Sequence, residues 1–258
     1  MRLLSYLFVV FSLPTLAAGL PDTGQTSCFV SRALAACTSA NSGDSSAYPR
    51  QDGRFGRDAA AAKGASSKIG GGAAGFDYTK VANDGSDLGA TATLGSKTSD
   101  WACTRDNITG LLWEVKVTAA TAAQLRDQNG TYSWFNSNFG TNGGNVGTPD
   151  AGTCFNPGRC DTEKFVADVN AATLCGFADW RLPSKRELGT LVHVGSAAPM
   201  IDTSYFPNTF SEFFWSSTPY AEAVYGGAWR VSFSSGEINY TSQYNYPGRV
   251  RLVRGASF

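Results

Sequence analysis

Six cysteines, at positions 28, 37, 103, 154, 160 and 175, constrain this chain more than any other feature of its 258 residues. An even set of cysteines persists as disulfides in an oxidising compartment, and the N-terminus offers a route to one. Residues 1–18 (MRLLSYLFVVFSLPTLAA) pass from one arginine through an apolar stretch to small residues, the layout of a cleaved signal peptide. The apolar run is broken by Pro14 and is shorter than the roughly 20 residues that span a bilayer, so no stable membrane insertion is expected. The protein is therefore expected to be exported: secreted, periplasmic or held at the cell surface. Cys28 and Cys37, like Cys154 and Cys160, are near neighbours in turn-rich stretches and are expected to pair locally. That leaves Cys103 for Cys175, although other pairings stay formally open. No C-x-x-C spacing occurs, and the one histidine, His193, cannot complete a zinc set.

Lys plus Arg and Asp plus Glu both count 21, and loss of Arg2 with the leader leaves 20 basic against 21 acidic residues. A basic footprint for nucleic acid is absent. Aromatic residues at 12% supply a core, while 29 glycines against 16% charged residues indicate long loops. No repeat of fixed period occurs, and nothing in the composition sets an oligomeric state.

Residues 19–99 read as a Gly/Ala/Ser-rich N-terminal extension with one short helix at 58–63, and a domain follows from 100 to 258. Within the domain, an apolar β-branched run predicts a strand at 111–117, and residues 118–127 a short helix. A Gly/Asn-rich loop fills 129–160. Asp161 caps a helix whose Phe165, Val169 and Ala172 share a face. Ser184 and Glu187 form a capping box ahead of Leu188, Leu191 and Val192, with His193 late in that helix as a structural helix-end residue. The last quarter reads as antiparallel strands, with Trp229, Val231 and Phe233 on one face, Arg230 and Ser232 on the other, and a turn at Gly236. The expected class is α+β, with two helices, a small antiparallel sheet and long disulfide-pinned loops.

Residues 106–113 (DNITGLLW), 175–188 (CGFADWRLPSKREL), 201–208 (IDTSYFPN), 215–219 (WSSTP) and 249–255 (RVRLVRG), with the N-terminal TGQTSC, together resemble the Lcl C-terminal domain family of exported bacterial proteins. The resemblance covers the chain from about residue 100 to its end. It implies a C-type-lectin-like fold of the subtype shared with formylglycine-generating enzymes and with the variable receptors of diversity-generating retroelements. The name-giving member is a surface adhesin whose C-terminal domain binds sulfated polysaccharides. This chain lacks that adhesin's Gly-X-Y stalk, so its trimeric display does not carry over.

Several motif residues read as structural. Asp179 and Arg181 are expected to pair, Trp180 and Leu182 to pack inward, and Pro183 to set the helix entry. Trp215, with Ser216 and Ser217, reads as core and turn, since no G-x-S-x-G elbow occurs and His193 has no nearby acid. A ligand surface is expected on the C-terminal strands and loops, carrying Tyr225, Trp229, Asn239, Tyr240, Gln243, Tyr244, Asn245, Tyr246 and Arg249, with Tyr220 beside them. Tyrosine and tryptophan give amphipathic contact area at low entropic cost, and amides add adaptable hydrogen bonds. Arg230, Arg249, Arg251 and Arg254 are the expected partners of anionic groups. The Tyr/Asn density between Ile238 and Arg249 also resembles the diversified segments of retroelement receptors. The expected ligand is a glycan or a surface protein.

No enzyme is expected. The copper-binding cysteine pair of the formylglycine-generating relatives is missing, because no cysteine follows Cys175, and Glu212, Glu222 and Glu237 are scattered. A structural, envelope-associated role with contacts through residues 38–100 is the other non-catalytic reading. No cofactor is expected, calcium being the one left open. No WND triplet occurs and residues 206–208 (FPN) lack a leading carboxylate, but Asp150 and Asn145 carry oxygens that suit a hard cation.

Overall fold

The computed structural model describes residues 22–43, 46–65, 67–118, 124–220, 226–242 and 246–257. Near the N-terminus, β1 (Cys28–Val30) and β2 (Ala33–Ala35) pair as a hairpin beside the Cys28–Cys37 bridge. Three short helices follow: α1 (Ser39–Ser42), α2 (Asp52–Phe55) and α3 (Arg57–Ala62), the last close to the single helix expected there. None of the three helices is long enough to be stable alone; α1 has a capping box from Thr38, and in α3 the Asp58 amide donates to the Asp22 carboxylate.

An antiparallel sheet contains β3 (Tyr78–Ala82), β4 (Asp87–Leu88), β5 (Trp101–Asp106), β6 (Leu112–Glu114) and β10 (Val253–Arg254), in the order β10-β6-β5-β3-β4. Two of its strands, β3 and β4, come from residues read as extension. The strand expected at 111–117 is shorter, ending at Glu114, with Val117 making a single bridge to Asp127. Of the helix expected at 118–127, residues 119–123 lie outside the described residues, and Gln124–Arg126 is a 3-10 turn.

The two helices with clear sequence signals form. In α4 (Thr162–Ala171), Asp161 accepts the Lys164 amide at 2.8 Å, and Phe165 and Val169 are buried. Ala172 is exposed, because it caps the helix end instead of continuing the buried face. In α5 (Lys185–Gly189), Ser184 and Glu187 make the reciprocal capping box. The helix ends at Gly189, so His193 lies past it, buried against Phe76 at 5.3 Å between ring centroids.

A second antiparallel sheet, β7 (Phe213–Pro219), β8 (Gly227–Ser232) and β9 (Ile238–Ser242), lies in chain order. Gly236, at φ +73°, takes the left-handed conformation that the turn between β8 and β9 requires. The fold is thus mixed α+β, with small antiparallel sheets. All three expected bridges are closed, and Cys103–Cys175 ties β5 to the turn before Trp180.

Five of the six tryptophans are buried, and four of these satisfy their indole N–H on a backbone carbonyl. Trp215 donates to Tyr132 O at 3.0 Å, and a Cβ on Gly248 would come within 2.8 Å of that same indole nitrogen. Trp229 alone is half-buried.

The segment 249–252 crosses between the two sheets. Its Arg249 end bonds β7 and its Leu252 end bonds β6, so Val250, Arg251 and Leu252 are all fully covered. Arg251 is therefore no surface cation. It donates to Glu114 O at 2.6 Å and to Thr209 Oγ1 at 2.7 Å, and burial pushes its guanidinium down to about 10. Around it lie Glu114, Lys116 and Arg126, each at most 4% exposed. Lys116 Nζ sits 2.6 Å from Glu114 Oε1 and 4.5 Å from the centre of the Phe165 ring, and its loss of water lowers its pKa.

Candidate functional site

Strand register decides which C-terminal residues share a face. Trp229 lies opposite Tyr240, and Val231 opposite Phe214 and Ile238. On the other face Arg230 lies opposite Trp215 and Asn239. The division expected from alternation within β8 is the one formed.

On the first face, the inner end packs into the core through Phe214, Val231 and Phe233. The outer end runs past that core and carries aromatic rings. Tyr220 stacks on Tyr240 at 3.7 Å between centroids and 11° between planes, and the Trp229 ring meets both edge-on, at 5.5 and 5.7 Å. Tyr240 is 50% exposed. Lys185, the first residue of α5, places Nζ 3.4 Å from the centre of the Trp229 ring. Its proximity was not legible in the sequence, since it lies 44 residues from Trp229 and arrives only because α5 packs on β8. The pairing leaves a cation over one tryptophan face and a tyrosine pair beside it.

On the opposite face, Arg230 donates from Nε to Asn239 Oδ1 at 2.9 Å, and its guanidinium lies 3.7 Å from the Phe213 ring centre. Partial burial holds it below the ordinary arginine range, with Glu237 and Tyr246 acting in the other direction. Tyr246, 60% exposed, Glu212, Arg230 and the Gly248 backbone enclose a cavity of about 220 Å³. Arg249 stands beside it but is engaged: Nε binds Glu212 at 2.9 Å, and Nη1 donates to Gln128 O and Gly130 O. Arg249 thus braces the rim more than it faces outward.

Of the residues expected to bind ligand, the structure gathers Trp229 and Tyr240 on one face, with Tyr220, and Asn239 and Tyr246 on the other. Tyr225, Gln243, Tyr244 and Asn245 lie outside the described residues, as does Glu222. The expected pairing of Asp179 with Arg181 is not made. Asp179 binds Arg254 at 2.7 Å, a bond that lowers the Asp179 pKa, and Arg181 binds Glu187 through two bonds of 2.7 and 2.9 Å. Arg254 is therefore also committed, and stacks 3.6 Å over Phe177. Trp180 is buried, Leu182 packs against the same core, and Pro183 is buried with its carbonyl taken by the Ser217 amide. Trp215 is core, and Ser216 Oγ donates to Trp229 O.

The two candidate calcium oxygens serve the protein itself. Asp150 pairs with Lys164, and Asn145 Oδ1 accepts the Gly147 amide at 3.0 Å. Among the described residues no group of three or more His, Cys, Asp or Glu side chains could hold a metal ion. No helix among them is long and apolar enough to cross a membrane.

No curated protein and no solved structure matches the chain. A family model does: the Lcl C-terminal domain, over residues 102–254, which takes in both faces just described and three of the five strands of the larger sheet, β5 from its second residue, β6 and β10. The chain belongs to the Lcl C-terminal domain family.

Proposed function

We propose that this protein is an exported, non-catalytic ligand-binding module of adhesin type, built on a C-type-lectin-like fold and recognising a glycan or a surface protein through its C-terminal strands and loops. One observation carries the reading: the single tryptophan left out of the core is grouped with Tyr220, Tyr240 and Lys185 at the open end of the β7–β9 sheet. Burying those rings against a partner recovers apolar area that the fold leaves in water, at roughly 25 cal/mol per Å². For a sugar, the exposed rings suit C–H patches, and Lys185 on the same face suits an acidic group. Export is supported by the leader-like N-terminus and the three closed bridges.

The test is an array of glycans and of host and envelope proteins, probed with purified chain in calcium and again in chelator. Saturable binding lost with Trp229→Ala supports the reading; turnover of a small molecule opposes it. A second reading, an envelope-associated interaction subunit, draws on the exposed Phe29, Leu34 and Phe55 of the N-terminal part. An array blank for glycans but positive for one envelope protein, with binding lost on Leu34→Asp, favours it.

A further inference from the structure

The interior around β6 holds more positive than negative charge. Lys116, Arg126 and Arg251 are each at least 96% buried, and Glu114 is the one carboxylate among them. Glu114 pairs with Lys116 and also accepts the Leu252 amide. Enclosed charge without a counterion is costly, so this cluster favours an added anion wherever one can reach it.

Arg126 is the point of access. It lines a cavity of about 740 Å³ bounded by the end of α4, the 3-10 turn that carries Arg126, and the loops around Asn83, Thr98 and Asn156. Cavities of this size hold small molecules. Its Nη1 donates to Ala102 O at 2.9 Å and to Val115 O at 2.7 Å, which fixes the guanidinium plane. Among the described residues nothing accepts from Nε or Nη2, and these two parallel N–H groups form the side edge of the fork. Among the described residues the one carboxylate on the cavity wall, Asp168, is already clamped by Arg159 through bonds of 2.5, 2.9 and 3.0 Å. The remaining wall is mixed, with Thr98, Thr173 and Asn156 against Leu125, Val169 and Leu174.

We infer that this cavity is a second binding site, separate from the aromatic face, which takes a small organic carboxylate: the carboxylate sits on the Nε–Nη2 edge of Arg126 and an apolar body lies against Leu125 and Val169. A carboxylate matches the planar fork through two parallel charge-assisted bonds, whereas a neutral amide offers only one acceptor.

The experiment titrates the full chain with acetate, butyrate and benzoate, each against its own amide, by ligand-observed saturation-transfer NMR. The expected result is saturable binding of the carboxylates at least about tenfold tighter than of the amides, strengthening as the apolar body grows. Arg126→Lys keeps the charge but loses the fork and weakens binding. Because Arg126 also holds two carbonyls, Ala172→Trp serves as a second variant. It fills the mouth from an exposed position at the end of α4 and is expected to weaken binding at least about tenfold with melting temperature unchanged. Carboxylates that bind no better than their amides, or binding untouched by Ala172→Trp, overturn the proposal.

Discussion

Trp229 and Tyr240 face each other across the β8–β9 pair with their ring centroids 5.7 Å apart, and Lys185 lies over the tryptophan ring. The other tryptophans are enclosed. Collisional quenching by acrylamide is therefore expected to act mainly on one residue. Trp229→Phe removes most of the quenchable emission and shifts the remaining spectrum to the blue. Unchanged quenching in that variant contradicts the exposure assigned to the ring.

The long bridge is expected to stabilise more than the short ones. Cys103 and Cys175 close a separation of 72 residues and Cys154 and Cys160 one of 6. By loop entropy these correspond to about 4 and about 2 kcal/mol. Denaturant unfolding of the two double-alanine variants checks the order, and intact mass shows six fewer protons than in the reduced chain.

Glu187 is enclosed and held by Arg181 and the Ser184 amide. Burial alone would raise its pKa, but the Arg181 and Ser184 bonds outweigh that and leave it lowered. A carboxylate with a lowered folded pKa contributes stability above its unfolded value, near 4.5, and loses it as pH falls through the folded one. Glu187→Gln keeps a capping amide but loses the ion pair, at about 2 kcal/mol at neutral pH. Its melting temperature is expected to fall less between pH 5 and 3 than that of the wild type.

Unequal outcomes are expected for the two partners of the enclosed ion pair. Lys116→Met removes one of three crowded cations and leaves Glu114 flanked by Arg126 and Arg251, so stability changes by no more than about 1 kcal/mol. Glu114→Gln leaves three cations without a carboxylate and costs about 3 kcal/mol or more. Chemical denaturation of both variants at neutral pH separates these outcomes.

Features encoded within a few residues were legible in the sequence. The caps at Asp161 and Ser184 follow from one side chain reaching one amide, and the faces of Trp229 and Arg230 follow from a period of two. Features decided by distant neighbours were not. The motif RVRLVRG presents Arg249, Arg251 and Arg254 in similar local settings, yet one braces a rim, one is wholly enclosed and one binds Asp179. The difference arises because residues 249–252 pass between two sheets, so both sides of that stretch are covered. In the same way β3 emerges from a glycine-rich stretch and is set as a strand by pairing with β5 on one side and β4 on the other.

The most direct measurement compares wild type with a Trp229→Ala/Tyr240→Ala variant for binding to immobilised polysaccharides and envelope proteins, alongside melting temperature. The expected result is saturable wild-type binding that weakens at least about tenfold in the variant, with a melting temperature lower by only about 2–4 °C. Equal binding by both proteins, or a variant that unfolds broadly while the ligand still binds its folded fraction, contradicts a recognition role for this face.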